Sequence, residues 1–337
     1  MKLIDVHDLR ELISCIGISR LNREVLSAME QDFARWQEFS MSPRHVTYCP
    51  DGVIELMPCN DSDQYSFKYV NGHPKNTADG KLSVVALGLL ADMADGYPKL
   101  LSEMTLLTAI RTAAVGALGA KYLARENPTD LAVIGTGAQS EFLALAMMEV
   151  RPIKRVHYHD IDTKAMAKFE RNMQGLGVQL IPYSSIEQAI AEADIITTAT
   201  AARCQAQLFD HAQLKPGVHI HAVGGDSEGK TELNPDILYN CKLVVEYLEQ
   251  TKAEGEIQNA SVEVVYGEIW EIITGRKPGR ENDHEITLFD AVGFALEDYS
   301  ILKLIYRLAH EFNIGQEVSM LPSLKNPKDL FSLLRSA

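Results

Sequence analysis

The run Gly135-Thr136-Gly137-Ala138-Gln139-Ser140 follows the apolar segment Leu131–Ile134 and opens a stretch with helical spacing. Gly-x-Gly-x-x-small after a strand is chemistry for a pyrophosphate. Gly135 makes the tight turn, Gly137 lets the backbone approach the phosphates, and small Ser140 packs helix on strand. The helix N-terminus, with Ala138 and Gln139 in its first turn, offers free N–H groups and a positive dipole end. A second strand, Arg155–His159, ends in Asp160, about 20 residues further on, where a carboxylate can accept from the ribose hydroxyls of an adenine dinucleotide. The same charge repels a 2′-phosphate, so NAD is expected over NADP.

Two further loops belong to the same crevice if the strands before them are parallel. Thr197-Thr198-Ala199-Thr200 ends one strand, and His219-Ile220-His221-Ala222-Val223 leads into Gly224-Gly225-Asp226. The glycines allow close backbone approach, Asp226 projects over the crevice, and Lys230 either orients it or binds cofactor. The paired histidines, His157/His159 and His219/His221, alternate on strands with no matching ligand cluster, so they read as satisfied strand histidines and no metal is expected. The acidic run from Glu246 to Glu256 reads as a solvated loop near the crevice mouth.

Three cations stand apart in the first third of the chain. Lys68 lies inside the strand-like Tyr65–Val70, Arg111 inside an Ala-rich helix, and Arg44 just before a strand. A cation on a buried face needs an anion. Arginine grips a carboxylate with two parallel bonds and lysine adds a point charge, so the three could hold an amino-acid carboxylate. From spacing alone, salt bridges to Glu55 or Glu103 are the more ordinary account of them.

The elements that must position these groups fall into two textures. Residues 5–40 read as helical. Strands follow at Val53–Pro58, Tyr65–Val70 and Val84–Leu90, giving an α+β part with antiparallel strands. A helix spans Thr105–Ala124 and is closed by Asn127-Pro128. Beyond it, strands at Leu131–Ile134, Arg155–His159, Val178–Ile181, Ile195–Ala199, Val218–Val223 and Leu243–Glu246 alternate with helices at Gln139–Val150, Thr163–Gln174 and Ser185–Ala191. That alternation is the mark of a doubly wound parallel sheet. The tail, Phe289–Phe312, reads as helical and as returning to the first part. The expected fold is α/β, with a Rossmann-type NAD domain over residues 113–299. Residues 1–112 with 300–337 form an α+β substrate-binding and dimerisation domain.

Composition sets outer limits. The chain has 337 residues, 46% of them apolar and 23% charged, with net charge −14. This length supports a core without disulfides. The acidic balance argues against nucleic acid as a partner. No run approaches the roughly 18 uncharged apolar residues of a membrane span. Five scattered cysteines, Cys15, Cys49, Cys59, Cys204 and Cys241, read as reduced thiols, and with no leader-like start the expected location is cytoplasmic.

With these residues in view, the chain resembles the ornithine cyclodeaminase/mu-crystallin family along nearly its whole length. The matching runs are Gly52–Pro58, Phe67-Lys68-Tyr69-Val70-Asn71-Gly72-His73-Pro74, Gly135–Phe142, Ala222–Asp226 with Gly229-Lys230-Thr231-Glu232-Leu233, and Val292–Tyr299. The resemblance implies a homodimer with tightly held NAD. It assigns Arg44, Lys68 and Arg111 to the substrate carboxylate, Asp226 to catalysis, and Glu55 and Met57 to the pocket wall. It places cofactor contacts at Ser83, Arg111, Thr112, Gly135, Gly137, Ala138, Gln139, Asp160, Thr200, Ile220, His221, Ala222, Val223, Lys230 and Ala291. Ser83 stands where threonine is usual and His221 where asparagine is usual. The reaction it implies converts L-ornithine to L-proline and ammonia with no net redox change. Other readings within the fold stay open: alanine dehydrogenase, ketimine reductase, lysine cyclodeaminase, or a non-catalytic binding protein like mu-crystallin. A pocket carrying both Glu55 and Asp226 suits a diamino acid better than alanine, because a second amine needs an anionic partner.

Overall fold

The computed structural model describes residues 1–201 and 205–335. Cys204 and the last two residues of the range assigned to the first domain lie outside the described residues. Among the described residues, Cys15, Cys49, Cys59 and Cys241 are free thiols.

The chain opens with β1 (Lys2–Ile4), α1 (Val6–Ile16) and α2 (Ile18–Ala34). Asp5 starts α1 with a reciprocal cap. Its carboxylate accepts from the His7 and Asp8 N–H groups at 2.7 and 3.0 Å, and Asp8 accepts in return from the Asp5 N–H at 2.9 Å. Strands β2 (Ser40–Met41), β3 (His45–Cys49), β4 (Gly52–Asn60), β5 (Gln64–Gly72), β6 (Val84–Asp92) and β7 (Pro98–Glu103) follow. Helix α3 (Thr105–Leu123) then leads into the second sheet. Its strands and helices are β8 (Asp130–Ile134), α4 (Ser140–Val150), β9 (Arg155–His159), α5 (Thr163–Met173), β10 (Gln179–Pro182), α6 (Ile186–Ile190), β11 (Ile195–Thr198) and β12 (His219–Ala222). It continues through α7 (Pro235–Tyr239), β13 (Lys242–Val245), α8 (Leu248–Thr251), β14 (Val265–Glu268), α9 (Ile269–Ile273) and β15 (Thr287–Asp290). Helix α10 (Ala295–Glu311) and β16 (Gln316–Glu317) return to the first sheet.

The second sheet is wholly parallel, in the order β10-β9-β8-β11-β12-β15-β13-β14. Chain order reverses between β8 and β11, so the crevice outside their carboxyl ends is the switch point of a doubly wound sheet. The first sheet has the order β16-β1-β7-β6-β5-β4-β2, with β3 also on β4. It is antiparallel except at β1, which runs parallel to β7, a departure from the all-antiparallel expectation.

The tail also differs from the sequence reading. Thr287-Leu288-Phe289-Asp290 is a buried strand, not the start of a helix. Four residues are too few to show strand periodicity. The break before α10 comes at Gly293, whose φ is +73°. A Cβ there would lie 2.2 Å from Arg111 Nη1. Strand β14 was also not anticipated.

Helix α3 joins the two halves. It is apolar nearly all round and buried along almost its whole length, as a helix between layers must be. Two glycines let it close on the parallel sheet. A Cβ at Gly116 would sit 2.1 Å from the His221 ring, and one at Gly119 would sit 2.3 Å from Phe289. Helix α10 covers the inner face of the first sheet, where Gly88 leaves room for Met104 and Leu302. The outer face of that sheet is uncovered. Leu56 pairs with Tyr69 and Tyr69 with Leu87, so three exposed apolar side chains form one row across β4, β5 and β6.

Candidate active site

The loop between β8 and α4 has the form a pyrophosphate needs. Gly135 has φ +94°, and a Cβ on it would meet the Ala199 carbonyl oxygen at 2.6 Å. Gly137 has no atom within 4 Å of where its Cβ would be, so it faces open space at the head of α4. Ala138 is exposed beside it. Gln139 caps that helix, and its Oε1 is buried without a hydrogen bond. Asp160, at the end of β9, accepts from the Thr136 N–H at 2.6 Å and from its hydroxyl at 3.1 Å. The acid therefore fastens the glycine loop to the neighbouring strand and stays half-exposed at the mouth. An open glycine, a free helix end, an orphaned amide oxygen and a carboxylate at the second strand fit an adenine dinucleotide.

The other residues assigned to the cofactor lie around the same strand ends. The Val223 N–H donates to the Thr198 carbonyl at 3.1 Å and the Ala291 N–H to that of Ala222 at 2.9 Å. The side chains of Ile220 and Ala222 belong to the core under the sheet, which leaves only their backbone to face a ligand. Thr112 is buried on α3, and Ser83 is half-buried in the connection from β5 to β6. Thr200 gives both its N–H, at 2.6 Å, and its hydroxyl to Glu232.

His221 departs from the expectation for strand histidines. Its ring is fully buried between Gly116 and Phe289, and neither ring nitrogen has a partner. Burial alone pushes its pKa down to about 3, so the ring is neutral. His219 keeps one bond, from Nδ1 to the Thr287 hydroxyl at 3.0 Å. His157 fits the expectation, with Asp130 at 2.8 Å and Tyr183 at 3.3 Å. Among the described residues no group of His, Cys, Asp and Glu could hold a metal ion.

The three cations converge between the sheets, each with a carboxylate. Lys68 Nζ lies 2.8 Å from Asp298 Oδ2. Arg111 reaches Glu297 from Nη1 at 2.6 Å and Asp298 from Nε at 3.1 Å. Arg44 bonds Glu55 from Nη1 at 3.0 Å and the carbonyls of Val292 and Gly293 from Nη2 at 3.0 and 2.6 Å. Of the two acids named as bridge partners from spacing, Glu55 is one. Glu103 instead accepts from the Thr105 and Leu106 N–H groups at the start of α3. Met57 sits directly across from Lys68 in the β4–β5 ladder and is buried beside it. The side chains of Glu297 and Asp298 occupy the first turn of α10, where the helix dipole favours acids.

Burial, followed by the nearby Arg111 charge, lowers the Lys68 pKa to about 8, against the opposing pull of Asp298. Arg44 and Arg111 stay charged, because their carboxylates outweigh the cost of burial. Arg111 Nη2 makes no hydrogen bond among the described residues, so it remains a donor for an incoming carboxylate.

Asp226 stands on the loop after β12, about half exposed, with Lys230 Nζ at 2.9 Å from its Oδ1. Behind it the structure overturns the reading of residues 246–256 as a solvated loop. Glu246, Gln250, Glu254 and Glu256 are buried. Glu246 and Glu256 are inside because they satisfy backbone donors at the strand ends. Glu246 accepts from the Val292 and Gly293 N–H groups at 3.0 and 2.6 Å. Glu256 accepts from Glu232 and Leu233 at 2.8 and 2.9 Å. Asp290 in turn accepts from the Glu256 and Ile257 N–H groups at 2.8 and 3.3 Å. Glu246 also meets Glu297. Burial, and then that neighbouring acid, raises the Glu246 pKa well above the usual carboxylate range, so it holds the proton between them. No sequence signal marks these acids, apart from Glu232, Glu297 and Asp298 lying within the runs that carried the family resemblance.

The fold and the crevice define a dinucleotide-binding enzyme fold joined to an anion-gripping second layer. Within that class, the chain belongs to the ornithine cyclodeaminase/mu-crystallin family, whose model matches residues 7–313. It is 46% identical over 331 residues to an ornithine cyclodeaminase of Agrobacterium fabrum, covering 98% of this chain and 94% of that one. Its structure matches an archaeal alanine dehydrogenase dimer with bound NAD at 32% identity. There the TM-score is 0.88, over 95% of this chain and 99% of that one. It also matches a lysine cyclodeaminase, described for its recognition of L-lysine, L-ornithine and L-2,4-diaminobutyric acid. The identity is 27% and the TM-score 0.91, over 99% of each chain.

Proposed function

We propose that this protein is an NAD-dependent ornithine cyclodeaminase that converts L-ornithine to L-proline and ammonia. The observation that carries the reading is the convergence of Lys68, Arg111 and Arg44 beside an acidic rim of Glu55 and Asp226. A carboxylate grip with anions beside it suits a diamino acid. The similarity to curated ornithine cyclodeaminases over nearly the whole chain supports it.

The glycine loop of Gly135 and Gly137, the α4 N-terminus with Ala138 and Gln139, and Asp160 would hold NAD. The strand-end backbone from Ile220 to Val223, together with Ser83, Arg111, Thr112, Thr200, Lys230 and Ala291, would complete its surroundings. Bound NAD supplies what no side chain can, reversible acceptance of hydride.

The side chains supply positioning and proton transfer. Lys68 and the free Nη2 of Arg111 hold the substrate carboxylate, with Arg44 adding charge beneath. Fixing the carboxylate fixes the adjoining carbon, and such orientation is worth up to about 7–11 kcal/mol of barrier in favourable cases. Asp226 takes a proton from a substrate ammonium, freeing an amine to attack, and returns a proton to the departing ammonia. Lys230 keeps Asp226 aimed. Met57 and the buried aliphatic wall exclude water around the carboxylate.

The active unit is a homodimer, and the uncovered row of Leu56, Tyr69 and Leu87 supports its seat on the outer face of the first sheet. Among the described residues no helix is long and apolar enough to cross a membrane. The proposed location is the cytoplasm. Residues 1–112 with 300–337, and 113–299, are the proposed substrate and NAD domains.

A product assay tests the reaction. Purified protein is incubated with NAD and L-ornithine while ammonia, proline and NADH are followed together. Equal ammonia and proline without accumulating NADH is the expected result. NADH without proline would make the protein a dehydrogenase.

A further inference from the structure

Glu254 has no place in the reading above, and its surroundings are out of electrostatic balance. Its side chain is only 8% exposed, and its Oε2 lies 3.3 Å from Arg44 Nε without forming a hydrogen bond. Arg44 meets it by charge alone, from Nε, because its two terminal nitrogens are already used on Glu55 and on the Val292 and Gly293 carbonyls. The backbone brings Glu254 to the catalytic loop. The next residue, Gly255, donates its N–H to the Gly225 carbonyl at 2.7 Å, and Gly225 immediately precedes Asp226.

Four carboxylates, those of Glu55, Glu254, Asp226 and Glu228, therefore gather where two cations, Arg44 and Lys230, are available. Lys230 is spent on Asp226, and among the described residues Glu228 takes only the Tyr48 hydroxyl, at 2.9 Å. Burial, followed by the competing pull of Arg44 and the repulsion of Glu55, Asp226 and Glu228, leaves the Glu254 carboxyl pushed up to about 7. A buried acid short of a cation is costly unless a ligand supplies one.

We infer that Glu254 is a specificity-determining residue whose carboxylate, together with Glu55 and Asp226, takes the far ammonium of a diamino acid. This rests on the diamino-acid reading above and adds to it. The carboxylate grip alone does not distinguish ornithine from a five-carbon amino acid with one amine. Glu254 makes that distinction, because only the second ammonium relieves its missing charge.

The test uses NADH-loaded protein, from which no hydride can pass to reduced cofactor, and titrates L-ornithine and L-norvaline by calorimetry. Norvaline has the same carbon chain without the terminal amine. Glu254→Gln should weaken ornithine binding at least tenfold and leave norvaline within twofold. Glu254→Asp should keep part of the preference. Equal weakening of both ligands, or of neither, would overturn the assignment while leaving the diamino reading intact. Wild-type protein with no preference for ornithine over norvaline would overturn that reading, and this one with it.

Discussion

Lys68 crosses from the middle of the first sheet to Asp298 in the first turn of α10, with Nζ 2.8 Å from the carboxylate and neither side chain exposed beyond 1%. The pair has two consequences. Removing one partner leaves the other buried and unpaired, which costs about 3–5 kcal/mol. Asp298→Asn should therefore lower the urea midpoint clearly, since Lys68 would then face Arg111 alone. Lys68 also loses its proton near pH 8. Above that pH one of the three carboxylate-holding charges is gone, so KM for the amino acid should rise as pH passes through about 8. Lys68→Arg should remove that rise, because guanidinium stays charged. A KM flat in pH for the wild type would take Lys68 out of carboxylate binding.

Gly135 and Gly137 should fail in different ways when enlarged. At Gly135 the backbone is left-handed and a Cβ would strike the Ala199 carbonyl, so Gly135→Val should destabilise the fold by several kcal/mol. At Gly137 a Cβ meets nothing, so Gly137→Val should change stability by less than about 0.5 kcal/mol and weaken NAD binding at least tenfold. Thermal unfolding and titration followed by NADH fluorescence separate the two. Equal NAD affinity in Gly137→Val would mean that the open space above it is not the pyrophosphate seat.

What could be read in the sequence was local. Gly135, Gly137 and Asp160 announce themselves because a turn, a helix start and a strand end must occur together within one short unit. The partners of Lys68 and Arg111 do not show in the sequence, because Lys68 and Asp298, for one, are 230 residues apart in the chain. Only the return of α10 across the sheet brings them together. Phe289 and Asp290 read as the start of the tail helix because a four-residue strand carries no period. The acids from Glu246 to Glu256 were taken for a solvated face because acidity normally keeps a loop in water. Here the exposed N–H groups at parallel strand ends draw the carboxylates inside, and no pattern in that segment shows those groups.

Those buried acids make stability depend on pH. Burial, with Asp290 next to it, raises Glu256 to about 8, and burial raises Asp290 to about 7. An acid with a higher pKa folded than unfolded holds its proton more tightly in the native state. Its stabilising effect is complete below about 4.5 and is lost as pH rises through 7 to 8. His219 and His221 act oppositely, being held neutral, and cost stability only below about 6.5. From these groups stability should be nearly level between about pH 4.5 and 6.5, where the two effects oppose, and fall by about 2–3 kcal/mol from there to pH 8. Urea midpoints across that range measure it. Glu256→Gln should flatten the fall, and an unchanged slope would place the titrating group elsewhere.

The row of Leu56, Tyr69 and Leu87 predicts the assembly. All three are exposed on one face, and a charge in the middle of such a row disfavours burial against a second copy. Leu87→Glu should shift the sedimentation coefficient from dimer to monomer while leaving the circular dichroism of the chain unchanged. A dimer that survives the substitution would have its seat on another face.

Asp226 is the residue on which the chemistry should turn. It is exposed, and its one charged partner among the described residues is Lys230 at 2.9 Å. Asp226→Asn keeps the shape and loses the proton acceptor. The variant should fold with unchanged thermal stability and bind NAD as the wild type does. It should lose about 10²–10⁴ in kcat, the range for removal of a positioned general acid–base. Without a base in the site the variant can use only substrate that arrives with a free amine, so the residual rate should rise with pH as ornithine deprotonates in solution. Lys230→Ala, which leaves Asp226 in place without its orienting charge, should cost less. Full turnover by Asp226→Asn would mean that proton transfer runs through another group, and Glu55, buried beside Arg44, would be the next carboxylate to replace.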